Sequence, residues 1–286
     1  MIDSIKNHFT DILESTVIKL NSVSGGSISS AFKINTESKS YFLKLNTGGN
    51  SKQMFDAEID GLNAISQTNT IKTPSIIHHG KFDRNHYLLL EFIESKSPSL
   101  KDFQKLGEKL AKLHEVSSEN FGWETHNFIG SLPQPNKKNS NWAEFYYQER
   151  LLPQFKIALK EGLLKSVEIP QESTVLDSLN EILGNPSPSL VHGDLWGGNY
   201  LISTDGDPYL IDPTVYFGHA EVDIAMSKLF GGFSSSFYES YFEIRPSDNM
   251  LLGRIELYQL YYLLVHLNLF GSSYYGSVKN ILKSYF

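Results

Sequence analysis

Cysteine is missing from all 286 residues, which excludes a disulfide, a thiolate metal site and a cysteine nucleophile. A reducing, cytoplasmic setting is the expectation. A basic surplus is missing too. The chain has 25 Lys and Arg against 32 Asp and Glu, a formal net charge of -7, so little is available to neutralise a phosphate backbone and nucleic acid is not expected as a partner. There is also no apolar run of membrane length. Leu257–Val278 lacks Asp, Glu, Lys and Arg and opens with LYQLYYLLVHLNLF. Yet Gln259, His266 and Asn268 interrupt it, and its apolar part falls short of the roughly 20 residues that cross about 30 Å of hydrocarbon. A buried core helix is expected there, and no membrane partner. The opening MIDSIKNHFTDILES lacks the basic and apolar regions of a secretion leader. Its Ile5, Phe9 and Ile12 recur at helical spacing, so it is assigned to the mature fold as an amphipathic helix.

What is present is ordinary for a globular chain, 40% hydrophobic and 20% charged, enough to bury a core. No internal repeat is visible. The character changes near residue 95. Before it come the strand-like runs TVIKL, SAFKI and YFLKLN, a helical pattern over Lys52–Ser66, and the apolar strand YLLLEF. After it, helical patterns dominate, at Leu100–His114, Ala143–Leu164, Ser173–Leu183, Val222–Leu229 and Pro246–Phe270. Two short strands, NYLI and PYLI, flank the turn STDGD. The pattern predicts an α+β chain of two lobes, 1–94 strand-rich and 95–286 mainly helical, with a ligand cleft between them.

The strongest chemical signal is LVHGDLWGGNYLI followed by YLIDP, which sets His192, Asp194, Asn199 and Asp212 around a short hairpin. Two carboxylates and an amide are oxygen donors of the kind magnesium prefers. Phosphoryl transfer needs a base for the attacking hydroxyl and metal to neutralise the phosphates. Asp194 suits the first task, and Asn199 with Asp212 the second. The set resembles the catalytic loop and metal-binding aspartate of the protein-kinase superfamily, with HGD for HRD and IDP for DFG. Read singly, HGD and IDP are tight turns; read in register with Asn199, they are a site. Gly193 stands where those kinases carry an arginine that receives an activation-loop phosphate, and only ten residues separate Asp212 from Asp223. Both features point to a small-molecule kinase without phosphorylation control at that loop.

The first lobe would then clamp ATP. Gly25, Gly26 and Ser27 can let backbone N–H groups approach phosphates, although a glycine pair alone reads equally as a hairpin turn. Lys44 on YFLKLN and Glu58 on FDAEIDGLNAI match the lysine–glutamate pair that positions phosphates, a match carried by the order of the motifs rather than by either residue. Glu91, Phe92 and Ile93 occupy the hinge position beside adenine.

The flanking segments HGDLWGGN, IDPTVYFGHAEVDIAM, NFIGSLPQPN, NWAEFYYQERLLPQ and YQLYYLLVHLNLFG closely resemble the fructosamine kinase (ketosamine-3-kinase) family, over Gly25–Gly271. The resemblance implies a protein-kinase-like fold with a small antiparallel-sheet first lobe. It also implies ATP and magnesium as cofactors, and phosphorylation of the 3-hydroxyl of fructosamine, ribulosamine or erythrulosamine adducts, after which the adduct breaks down to free the amine. Asp194 is then the base, Asn199 and Asp212 are the metal ligands, and Trp196 is a wall of the sugar pocket or else a core brace. A monomer acting on small or protein-bound ketosamines is expected. His219, Glu221 and Asp223 could line the substrate site, with Asp223 better placed as a helix cap and loop brace. His192 reads as scaffold, and His266 and Asn268 as satisfied core polar groups. Pro133–Asn136 is either a cleft border or a connection. Ser27 departs from a cysteine that many relatives carry. The rival readings are an aminoglycoside or choline kinase type of phosphotransferase, and a nucleotide-binding pseudokinase.

Overall fold

A computed structural model of the chain describes residues 2–23 and 29–286. Gly25, Gly26 and Ser27 lie outside the described residues. The first lobe is a five-stranded antiparallel sheet, order β1-β2-β3-β5-β4. Its strands are β1 (Lys19–Val23), β2 (Ser30–Asn35), β3 (Ser40–Asn46), β4 (Ile76–Phe82) and β5 (Asn85–Glu91), and it packs with α1 (Ile2–Leu13) and α2 (Ser51–Gln67). Alternation along β3 divides its faces. Leu43 and Leu45 join Ile5 and Phe9 of α1 in one cluster, and Phe42 joins Phe55 and Leu62 of α2 in another. Lys44 shares the α2 face, and Glu58 falls three residues after Phe55 and four before Leu62. The same periodicities that bury the lobe therefore aim this pair at each other.

The remainder is helical, with short hairpins set into it. It comprises α3 (Leu100–Leu113), β6 (Asn127–Ile129), β7 (Leu132–Gln134), α4 (Trp142–Phe145), α5 (Leu152–Lys160), α6 (Glu172–Leu183), β8 (Ser189–Val191), β9 (Tyr200–Ile202), β10 (Pro208–Leu210), β11 (Tyr216–Gly218), α7 (Glu221–Leu229), α8 (Ser235–Ile244), α9 (Leu251–Phe270) and α10 (Tyr275–Tyr285). The expected α+β, kinase-like two-lobed architecture is the one found.

Local departures have local causes. The expected strand TVIKL is displaced to Lys19–Val23, and the expected helix from Pro246 begins only at Leu251, after Asp248 has accepted the Met250 N–H. The helix over Ala143–Leu164 runs Trp142–Lys160, with a wide π turn at Tyr146–Leu151. Pro153 has no N–H for the Glu149 carbonyl, and the Arg150 guanidinium donates to it instead at 2.9 Å. α9 is buried on nearly every side, as its uncharged sequence requires. Among the described residues no helix is long and apolar enough to cross a membrane.

Among the contacts that join the lobes, two lie side by side at the end of α2. Ile65 and Ile71, just before and after the end of α2, pack into the large core of the helical part. Beside them the Leu210 N–H donates to the Lys72 carbonyl at 2.9 Å, and Lys72 Nζ meets Asp207 at 2.6 Å.

Candidate active site

The Asp194 loop leaves β8 and enters β9, and each turn of it is held from behind. Asp223 accepts the His192 N–H at 2.7 Å and the Gly193 N–H at 2.9 Å. Its Oδ2 also lies 3.1 Å from His114 Nε2, and His114 Nδ1 lies 2.8 Å from the Tyr241 hydroxyl. The expectation for Asp223 is thus met as a brace and corrected as a cap. It stands inside the first turn of α7, whose N-cap, Ala220, has no side-chain bond. His192 is scaffold, as read: Nε2 donates to the Ile211 carbonyl at 2.9 Å while Nδ1 accepts the Asp194 N–H at 3.2 Å. This pattern fixes a neutral tautomer, and burial, opposed by the Asp223 charge, keeps the ring below its ordinary pKa. Gly193 sits at φ +87, and a Cβ there would overlap the Thr214 carbonyl oxygen. No arginine fits this position, which is the physical reason for HGD here.

In the first lobe Lys44 pairs with Glu58 of α2 at 2.7 Å, and it reaches across to pair with Asp212. Burial alone would depress the ammonium, but Asp212 and then Glu58 outweigh it and hold its pKa above the usual lysine value. One ammonium serves two carboxylates, so Glu58, desolvated and near Asp212, is pushed up to about 7 while Asp212, held by Lys44, stays below the ordinary carboxylate value. Asp212 holds φ +54, a conformation sparsely populated outside glycine. Asp194 is pushed up to about 7, first by burial and then by the charges of Asp212 and Asp223. Asn199 spends its Nδ2 on the Asp194 carbonyl at 2.8 Å and on Asp194 Oδ2 at 3.3 Å, leaving its side-chain oxygen as the group to offer a cation.

These side chains line one cavity of about 790 Å³ between the lobes, with Glu91, Phe92, Ile93 and Trp196. Trp196 is 41% exposed there rather than buried as a core brace, and Gly198 keeps clear the space its ring occupies. Glu91 accepts the Ser75 N–H at 3.1 Å and the Ser75 hydroxyl at 3.0 Å, so its carboxylate steadies the end of β5. Lys33 caps the Phe92 ring at 3.8 Å.

Other expectations are corrected. Glu221 is bound by Arg254 at 2.6 and 2.8 Å, His219 Nδ1 lies 2.6 Å from the Tyr258 hydroxyl, and neither lines the cavity. Pro133 and Gln134 close strand β7, Pro135 and Asn136 lead out of it, and none of the four lines the cavity. Gln134 bonds Asn127 and Tyr261, and Asn136 bonds Arg150. The cavity is bordered instead by Asn127–Gly130, the NFIG quoted above, and by Tyr262, His266 and Phe270 on α9. Asn268 is satisfied only in part: its Nδ2 donates to Gln154 at 2.8 Å, while its buried Oδ1 has no partner among the described residues. His266, read as core, is a half-buried part of the cavity wall. A single histidine on an apolar helix carries no mark in sequence of which side it faces.

Comparison with known proteins gives the family. The fructosamine kinase family model matches residues 1–286. A protein of Synechocystis sp., provisionally named a ketoamine kinase, is 40% identical over 265 residues, covering 92% of this chain and 88% of its own. The chloroplastic protein-ribulosamine 3-kinase of Arabidopsis thaliana is 37% identical over 274 residues, 94% of this chain and 83% of its own. A crystal structure from Haemophilus somnus, provisionally named a fructosamine-3-kinase, superposes with a TM-score of 0.88 at 28% identity, covering 100% of this chain and 98% of that one. The aminoglycoside phosphotransferase APH(4)-Ia shares the fold, with a TM-score of 0.61 at 17% identity. The chain therefore belongs to the fructosamine kinase family.

Proposed function

We propose that this enzyme transfers the terminal phosphoryl group of ATP to the 3-hydroxyl of ketosamines, in the cleft between the lobes 1–94 and 95–286. The observation that carries the proposal is the convergence of Asp194, Asn199, Asp212, Lys44 and Glu58, contributed by both lobes, on one cavity.

Asp194 is the proposed base: half-buried at the cavity wall, with its pKa raised to about 7, it is poised to accept the hydroxyl proton near neutral pH. Asn199 and Asp212 are the proposed magnesium ligands. Their hard oxygen atoms fit that ion, and among the described residues no cluster of three or more His, Cys, Asp or Glu could form an all-protein cage. This suits a cation completed by nucleotide phosphates and water. When bound, magnesium would neutralise charge on the phosphates. Lys44, steadied by Glu58, is proposed to hold those phosphates, with Gly25, Gly26 and Ser27 contributing backbone donors. The Glu91 N–H is committed to the Ser75 carbonyl at 2.9 Å, so Glu91 is proposed to offer the base edge its carbonyl, beside the backbone groups of Phe92 and Ile93. Trp196 would pack its indole face against the sugar C–H face. Direct in-line transfer follows from a base and metal ligands without a covalent relay.

The test is magnesium-dependent ATP consumption with fructosyl-, ribulosyl- and erythrulosyl-lysine, beside choline and kanamycin, with Asp194→Asn as control. Phosphorylation of a ketosamine, lost in the variant, supports the reading. Turnover of choline or kanamycin alone overturns the substrate assignment.

A further inference from the structure

The proposed base leaves the chain at a peptide that glycine makes easy to turn. Gly193, at φ +87, has no side chain to restrict rotation of the unit that joins it to Asp194. That unit is planar, so the Gly193 carbonyl and the Asp194 N–H move as one body, and the direction of the Asp194 side chain follows them. The Asp194 N–H meets His192 Nδ1 at 3.2 Å, at the long end of the hydrogen-bond range. The tighter hold is on the opposite edge of the same plane, where the Tyr262 hydroxyl donates to the Gly193 carbonyl at 2.9 Å in a buried contact.

Tyr262 is suited to this task. It is buried on α9, and burial holds its hydroxyl well above the ordinary tyrosine pKa, so it remains a donor at every working pH. The other two tyrosines of α9 spend their hydroxyls elsewhere, Tyr258 beside Trp142 and His219, and Tyr261 on Gln134. Tyr262 also lines the cavity, so α9 supplies both a wall and a strut. The cation proposed on Asn199 and Asp212 is placed by different bonds. Asn199 Nδ2 donates at 2.8 Å to the carbonyl on the far side of the Asp194 Cα, and Asp212 pairs with Lys44. Resting on the reading of Asp194 as the base, we propose that Tyr262 is a positioning residue for the transfer step. Its hydroxyl sets the peptide between Gly193 and Asp194, and with it the aim of the Asp194 carboxylate at the acceptor hydroxyl.

The experiment compares wild type, Tyr262→Phe and Tyr262→4-aminophenylalanine, the last of which returns an N–H donor to the same place. Rates with ribulosyl- and fructosyl-lysine are measured well below the melting temperature of each protein. Tyr262→Phe is expected to lose roughly ten- to a hundredfold in kcat, with KM for ATP and the magnesium concentration for half-maximal rate within about twofold of wild type. The 4-aminophenylalanine variant is expected to recover most of that loss. A hydroxyl that served only the fold would raise KM for ATP and the demand for magnesium as kcat fell. That pattern overturns the proposal, as does an unchanged kcat in Tyr262→Phe or a loss that 4-aminophenylalanine does not repair, and each leaves the kinase reading intact. A wild type that phosphorylates neither ketosamine overturns that reading and this proposal with it.

Discussion

At the residue scale, Asp194 combines two opposed properties. Its carboxyl titrates at about 7 instead of 3.8, chiefly because it is buried. Between those values the folded chain holds a proton that the unfolded chain releases, so this group's contribution to stability falls as pH rises from about 4 to 7 and is level above. Catalysis would run the other way, since the proposed base must be ionised. We expect kcat/KM to rise with pH through about 7 in the wild type. Asp194→Asn should lose roughly 10²–10⁴ in kcat while gaining stability relative to wild type between pH 5 and pH 8; steady-state assays and denaturant melts at those two values check both. A variant that melts earlier at pH 8 would contradict the assigned burial of charge. Gly193→Ala is expected to lose activity as well as stability, because the new Cβ meets the Thr214 backbone, which cannot yield as a side chain can. Circular dichroism melts beside kcat read the two losses separately.

At the scale of elements, the sequence was most legible where periodicity is long. α2, α3 and β3 announce themselves by alternation or by helical spacing, and that spacing carried Glu58 and Lys44 with it. Of the six strands of three residues, β6, β7, β8 and β11 are too short to show a period, β9 and β10 were legible only through the turn between them, and β6 contributes Asn127 to the cavity. α8 was missed because its place in the fold is set by a partner: Gly107 of α3 lets the Phe237 carbonyl approach, and Ser240 bonds the Gln104 carbonyl at 2.9 Å. α3 itself begins with a capping box in which Ser99 and Asp102 satisfy each other's backbone N–H groups. Ser99→Ala should destabilise the protein by about 1 kcal/mol, seen as a fall in Tm of about 2 °C or more. The bonds from the Ser99 backbone and hydroxyl lower the Asp102 pKa from 3.8 to about 2. Its contribution is therefore full above about pH 4 and lost as pH falls through 2. The difference between wild type and variant should narrow across that window in acid melts.

At the scale of the whole molecule, the chemical motif was legible because phosphoryl transfer constrains residue types and their order. The α9 wall of the cavity was not, because the all-round apolar sequence of α9 hides that His266, Tyr262 and Phe270 look onto it. Also hidden was how firmly the lobes are joined. Ile71, 4% exposed, lies before residue 95 yet packs in the core of the helical part. Ile71→Ala is expected to remove about 2–5 kcal/mol and to shift one calorimetric transition as a unit; two transitions, with only one displaced, would show the lobes melting independently. The short chain between Asp212 and Asp223 has a consequence of its own. Its middle, Tyr216–Gly218, is bonded as β11 to β8, and Phe217 exchanges backbone bonds with Gly122. With this segment consumed in the sheet, we expect no throttle at the place where signalling kinases keep theirs. The rate should then rise with substrate as a simple saturation curve, a dose–response without a threshold, and a sigmoidal curve would contradict it.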